Sequence, residues 1–212
     1  STTSVVGDTY MALYALQHRG QQSCGIAVND DGIIRSYRDL GLVPDTFNQC
    51  VLSDLGSGRM AVGHVLYGAS NPERADAQPL VVRHIKGSMA LAFNGALVNA
   101  LELKEELELK GAIFHSNSDA EIISHVIINE RLHTNSIEEA IEKAMDKLKG
   151  AYSMVVMSPQ KLMAVRDPQG IRPLAMGKMG GEIVFASESC AFDSIGAKFV
   201  RDVRPGEIIV VD

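Results

Sequence analysis

Apolar residues Tyr10, Met11, Leu13, Tyr14 and Leu16 recur at helical spacing, which predicts a helix over residues 8–16. Residues 1–6 are small and polar and predict no strand. Gln17-His18-Arg19-Gly20 reads as the helix end: basic side chains suit its negative pole, and Gly20 suits a left-handed cap. Residues 25–29 predict a short strand, Asn29-Asp30-Asp31-Gly32 a hairpin turn, and residues 33–38 the returning strand. A helix-like piece over 45–55 and a strand over 60–65 follow. Residues 66–78 are rich in Gly, Ser, Asn, Pro and Asp, a polar loop of the length that is functional or mobile.

Strands over 81–85 and 88–93 are expected to turn at Lys86-Gly87. Residues 97–110 predict an amphipathic helix with Leu97, Leu101, Leu103 and Leu107 inward. Two more helices, 118–132 and 136–148, open on Ser118 and Ser136, with Glu121 and Glu139 placed to complete capping boxes. After Lys149-Gly150 the period changes to that of strands, at 151–157, 161–166, 174–177, 183–187 and 207–211. Residues 167–173 form a rigid loop with two prolines, and 190–195 a short helix. Strands and helices are grouped rather than alternating, which favours α+β layers over a doubly wound parallel sheet.

The stretch from Met89 to Asn99 carries the sharpest ambiguity. Its alternating apolar run meets Asn94-Gly95, a pair that tolerates positive φ and signals a tight turn into the following helix. Alternatively, the Asn94 amide and the Gly95 N–H face a cleft together, as two donors able to stabilise an oxyanion in acyl transfer.

With 212 residues, 46% of them hydrophobic, the chain can bury a substantial core. A net charge of −6 gives no reason to expect nucleic acid or an anionic membrane as partner. Cys24, Cys50 and Cys190 form neither a Cys-x-x-Cys pair nor a metal-ligand spacing, so free thiols in a reducing, cytoplasmic setting are expected. No apolar run reaches membrane-spanning length. Neither a phosphate loop nor a dinucleotide fingerprint is present, and no metal or cofactor is expected.

Several stretches, in order along nearly the whole chain, resemble class II glutamine amidotransferases, the group that includes the N-terminal glutaminase domain of amidophosphoribosyltransferases. The carrying residues are Gln17-His18-Arg19-Gly20, Gly63-His64-Val65, Ala77-Gln78-Pro79-Leu80, Asn94-Gly95, Ser118-Asp119, Lys149-Gly150-Ala151-Tyr152, Arg166-Asp167-Pro168, Gly170-Ile171-Arg172-Pro173, Ala186-Ser187-Glu188 and Pro205-Gly206-Glu207. The resemblance implies an N-terminal-nucleophile hydrolase fold, a four-layer αββα sandwich with two antiparallel sheets, over one domain, residues 1–212. It implies hydrolysis of glutamine by an N-terminal cysteine whose own α-amino group is the base. Ammonia would pass to a C-terminal phosphoribosyltransferase domain to make phosphoribosylamine for purine biosynthesis. Partners would be glutamine, that domain and further copies of the chain.

Matched residue by residue, Asn94 and Gly95 correspond to the oxyanion pair and Asp119 to the carboxylate that holds the substrate α-ammonium. Asp119 also suits a helix N-terminus without any ligand. Arg19 corresponds to an arginine supporting the nucleophile pocket, and Tyr67 to a substrate-side residue. The family's opening Cys-Gly-Ile-Phe-Gly strand would either lie ahead of Ser1 or be lacking from the protein altogether, and the transferase half would lie beyond Asp212. Cys24 has no free α-amino group to act as its base, whereas Ser1 or Thr2 as nucleophile lies off the aligned position. Leu66 stands where the family has the arginine that clamps the glutamine carboxylate, Ala69 where it has threonine, Phe93 histidine and Ala96 asparagine. These changes cluster on one ligand, so hydrolysis is expected to be impaired in the chain as it stands. The competing expectation is a degenerate domain with a regulatory or assembly role and no hydrolysis.

Overall fold

The computed structural model describes residues 4–68 and 73–212. The first helix, α1 (Val5–Ala15), starts at Ser4, whose hydroxyl accepts from the Gly7 amide, and a 3-10 turn (Gln17–Arg19) closes it. Strands β1 (Ser23–Asp30), β2 (Ile33–Leu40) and β3 (Met60–Leu66) form an antiparallel sheet in the order β2-β1-β3. The expected helix over 45–55 is two short ones, α2 (Val43–Thr46) and α3 (Gln49–Asp54). Asn48 separates them, its side chain accepting from the Val51 amide as the cap of the second.

A five-stranded antiparallel sheet follows, ordered β11-β7-β6-β5-β4, from β4 (Leu80–His84), β5 (Gly87–Leu97), β6 (Gly150–Met157), β7 (Leu162–Arg166) and β11 (Ile208–Val211). A third sheet, ordered β10-β8-β9, joins β8 (Ala175–Met179), β9 (Glu182–Ala186) and β10 (Lys198–Asp202). The last of these was not expected from the sequence, because Lys198 and Phe199 are exposed and the run carries no alternating pattern.

One helical layer, α4 (Ala100–Leu109), α5 (Asp119–Leu132) and α6 (Ile137–Met145), packs on the five-stranded sheet through Leu91, Phe93, Tyr152 and Met154 against Leu103, Ile123 and Ile141. On the far side α1 and α7 (Cys190–Ile195) cover the two three-stranded sheets. Between the β layers, Ala27, Ile34 and Val62 meet Ala90, Ala92 and Met157. The four-layer αββα architecture is therefore the one observed, with its second β layer in two pieces. Edge strands β3 and β9 both open onto one cavity.

Three local expectations are corrected by tertiary contacts. Asn94-Gly95 does not turn: β5 runs on to Leu97, paired residue for residue with β6 from Ala90↔Met157 to Leu97↔Gly150. The helix starts later than expected, at Ala100, and Leu101 points to solvent at 77% exposure. Gly20 is extended, at φ −169°, rather than left-handed. What it requires is space, because a Cβ there would sit 2.6 Å from the Val65 carbonyl carbon and 2.7 Å from Leu66 backbone.

The helix caps also differ from expectation. Ser118 accepts from the Ala120 amide, but Glu121 turns away from the cap and instead accepts from the His115 and Ser116 amides and the Ser116 hydroxyl. Ser136 accepts from the Glu139 amide as expected, while Glu139 reaches back to Asn135 rather than to Ser136.

Gly20→Asn should destabilise as much as Gly20→Ala, by about 1–3 kcal/mol in denaturant midpoints, because the conflict is with backbone. A left-handed cap would instead tolerate asparagine. For Glu121, burial opposes ionisation, but hydrogen bonds from Ser116 and His115 outweigh it and hold the carboxyl below its ordinary 4.5. Its stabilisation is full above that value and is lost as the pH falls through its folded value. Glu121→Gln should cost about 1–3 kcal/mol at neutral pH. At about pH 3 the gap from the parent protein should narrow, as read by urea unfolding at the two pH values.

Candidate active site

The cavity bounded by β3 and β9 measures about 980 Å³. Thr9, Ala12 and Leu13 of α1 form one wall and Asn94 and Ser153 of the five-stranded sheet another. Alternation along β5 decides which side chains reach it. Leu91 and Phe93 belong to the helix-side core and Ala90 and Ala92 to the space between the sheets, so Asn94 falls on the inter-sheet face. The Asn94 side of the oxyanion expectation is thus placed on a cavity rather than in packed interior.

Gly95, next along β5, is at φ +155° and a Cβ there would meet the Ala151 carbonyl oxygen at 2.1 Å. Only glycine fits that approach of β5 to β6. Gly95 itself is not in the cavity wall. Two residues further, the Leu97 amide donates to Asp119 Oδ2 at 2.8 Å. Asp119 therefore sits at the end of β5, about 7 Å along the strand from Gly95 by strand rise, and outside the wall. The helix-terminus reading of Asp119 is the one observed: it opens α5 and accepts from the Leu97 amide of β5.

Arg19 and Tyr67 lie elsewhere. Arg19 makes an ion pair with Glu188, and His18 Nε2 lies 2.8 Å from the same carboxylate. Tyr67, beyond the end of β3, is 79% exposed. Leu66 is half-buried and pairs with Ser23, while Phe93 is packed near Tyr152, ring centroids 6.4 Å apart. Ala69, Ser1 and Thr2 lie outside the described residues. Cys24 is fully buried in the α1-side core, and burial pushes its thiol up, the reverse of an activated nucleophile.

Sequence reasoning gave His64 no role, yet it occupies the cavity wall. Its Nε2 lies 3.0 Å from the Phe93 carbonyl, so that nitrogen carries the proton and donates. Nδ1 is buried with no partner among the described residues. Burial pushes the imidazole down to about 4, which keeps it neutral and leaves Nδ1 an unused acceptor. Gln78 and Asp167 were also missed as organisers. Gln78 accepts from the Phe93 amide at 2.7 Å, tying the loop before β4 to β5. The fully buried Asp167 carboxylate accepts from the Tyr152, Gln169 and Ile171 amides and shapes the 167–173 loop. Among the described residues no helix is long and apolar enough to cross a membrane.

Residues 69–194 match the family described as a glutamine amidotransferase domain. The chain is 43% identical over 209 residues to amidophosphoribosyltransferase of Methanocaldococcus jannaschii, covering 98% of this chain and 44% of that protein. Against the Bacillus subtilis amidophosphoribosyltransferase it is 40% identical over 206 residues, covering 96% and 43%. In structure it is similar to the glutamine phosphoribosylpyrophosphate amidotransferase from B. subtilis complexed with ADP and GMP. The TM-score there is 0.92 at 40% identity, over 99% of this chain and 45% of that one. A glutamine aminotransferase class-II domain protein from Silicibacter pomeroyi, 15% identical with a TM-score of 0.56 over 89% of this chain, shares the fold. The chain spans a little under half the length of the curated relatives it matches. With more than half of its residues inside the family match, and Asn94, Gly95 and Asp119 among them, the chain belongs to the glutamine amidotransferase domain family.

Proposed function

We propose that this chain is the glutamine-hydrolysing domain of an amidophosphoribosyltransferase, supplying ammonia to a C-terminal phosphoribosyltransferase domain for phosphoribosylamine synthesis. The observation that carries this reading is Asn94 in the wall of a cavity onto which two unpaired strand edges, β3 and β9, both open. A strand edge presents a row of unsatisfied N–H and C=O groups, and two edges facing one space accept one further strand between them. A peptide of the Cys-Gly-Ile type ahead of Ser1 would complete the split β layer there and bring its N-terminal thiol beside Asn94. The unpartnered acceptor of His64 offers a hydrogen bond to a donor on that strand.

In this arrangement the α-amino group removes the thiol proton and sulfur attacks the side-chain carbonyl carbon of glutamine. The Asn94 amide and the Gly95 N–H hold the developing oxyanion. The carbon–nitrogen bond then breaks, ammonia leaves with the transferred proton, and water cleaves the thioester to give glutamate and the free thiol. Asp119 supplies the carboxylate for the substrate ammonium. Leu66 cannot make the paired charge–charge contact that arginine makes with a carboxylate, so glutamine capture is weak.

The test is glutamate release by the protein carrying an N-terminal Cys-Gly-Ile-Phe-Gly strand, with and without Leu66→Arg. The strand should confer hydrolysis, and the arginine should lower KM for glutamine. In that background Asn94→Ala should reduce kcat by roughly 10²–10³. Asp119→Asn should act mainly on KM. Absence of hydrolysis in both, with glutamine binding undetectable by calorimetry, would instead support the degenerate, regulatory role.

A further inference from the structure

The turn after α1 and the start of α7 bring together three metal-binding side chains of different kinds: His18, Glu188 and Cys190. His18 and Glu188 are 170 residues apart in sequence. The imidazole is oriented through Nδ1, 3.1 Å from the Ala15 carbonyl, to which it donates. Its Nε2 thereby faces Glu188 Oε2, 2.8 Å away, and makes an ion pair with it when protonated. Two acceptors at that distance call for a cation between them. A proton would serve that pair, but a third donor converges as well. Cys190 Sγ lies 3.7 Å from the same Oε2, and the three ligand atoms are all within 4.8 Å of one another.

The surroundings can also hold a metal in place of that proton. Arg19 takes the other carboxylate oxygen, Oε1, which fixes the plane of Glu188 and leaves Oε2 for a second charge. A backbone carbonyl on the far nitrogen is the arrangement that sets tautomer and ring orientation in metal-bound histidines. Tetrahedral zinc, with Zn–N near 2.0 Å and Zn–S near 2.3 Å, separates its ligands by roughly 3.3–3.8 Å. The observed cluster reaches that spacing with small side-chain shifts. The His18 side chain is 57% exposed, so an ion can enter from solvent.

We propose that His18 Nε2, Glu188 Oε2 and Cys190 Sγ form a zinc site, with the fourth position open to water. A nitrogen, oxygen and sulfur set of this kind selects zinc over magnesium or calcium, which take oxygen ligands alone. The two anionic ligands offset the charge of the ion, so Arg19 faces a neutral centre. The ion staples the Gln17–Arg19 turn to α7, adding to the apolar cluster that Leu16 shares with Ala191 and Phe192. The site stands independently of glutamine hydrolysis.

Cobalt(II), added to the metal-free protein as a spectroscopic substitute for zinc, is the direct test. The expected result is one equivalent bound, with a thiolate-to-cobalt charge-transfer band that zinc abolishes and a rise in Tm with zinc. Cys190→Ser should remove the band. His18→Ala and Glu188→Gln should each weaken binding by more than the roughly 10–100-fold that loss of a supporting partner costs. Cys50→Ser should leave band and affinity unchanged, and circular dichroism of each metal-free variant confirms its fold. Absence of the band in the parent protein, its survival in Cys190→Ser, or its loss in Cys50→Ser would overturn the assignment.

Discussion

The straight, fully paired course of β5 against β6 is the constraint on which the candidate site depends. Pairing runs through Asn94 and Gly95 without a break, so the two-residue alternation cannot slip. That alternation sends Phe93 into the helix-side core and Asn94 toward the space between the β layers. Gly95 is what permits the close approach, since any Cβ there would overlap the Ala151 carbonyl. The Leu97 amide then anchors Asp119, which couples the start of α5 to the same strand.

The second β layer is organised differently. Its two three-stranded sheets are each internally paired, yet β3 and β9 present open edges to one cavity. Open edges are ordinarily covered or blunted by charge. Here β3 packs under α1 and β9 under α7, and the wall holds an imidazole kept neutral by desolvation. A neutral His64 with one nitrogen committed to Phe93 is a fixed acceptor. It lies at the edge strand β3, in the wall of the cavity that β9 also lines.

Family motifs survive in this chain for reasons that are often structural. Gly20 is required by the backbone of Val65 and Leu66. Arg166 binds the carbonyls of Gly170, Arg172 and Val203, and Asp167 gathers three amides. These contacts hold the scaffold whether or not glutamine is hydrolysed. Leu66, one of the departures from the family pattern, is half-buried at the end of β3 and pairs with Ser23.

Local chemistry in the sequence was enough for much of this. Helical spacing placed α1, α5 and α6, serine caps placed two helix starts, and Asn29 to Gly32 marked the first hairpin correctly. The grouped pattern of strands and helices gave the α+β class, and ordered motifs gave the family. These features were legible because they rest on residues near one another in the chain. Whether Asn94-Gly95 turns or continues, why Gly20 is glycine, and where Glu121 spends its hydrogen bonds depended on partners elsewhere in the chain, such as Ala151 and Val65. Only the folded chain could place His64 against Phe93, or His18 against Glu188 and Cys190, because no local pattern encodes a contact that packing alone creates.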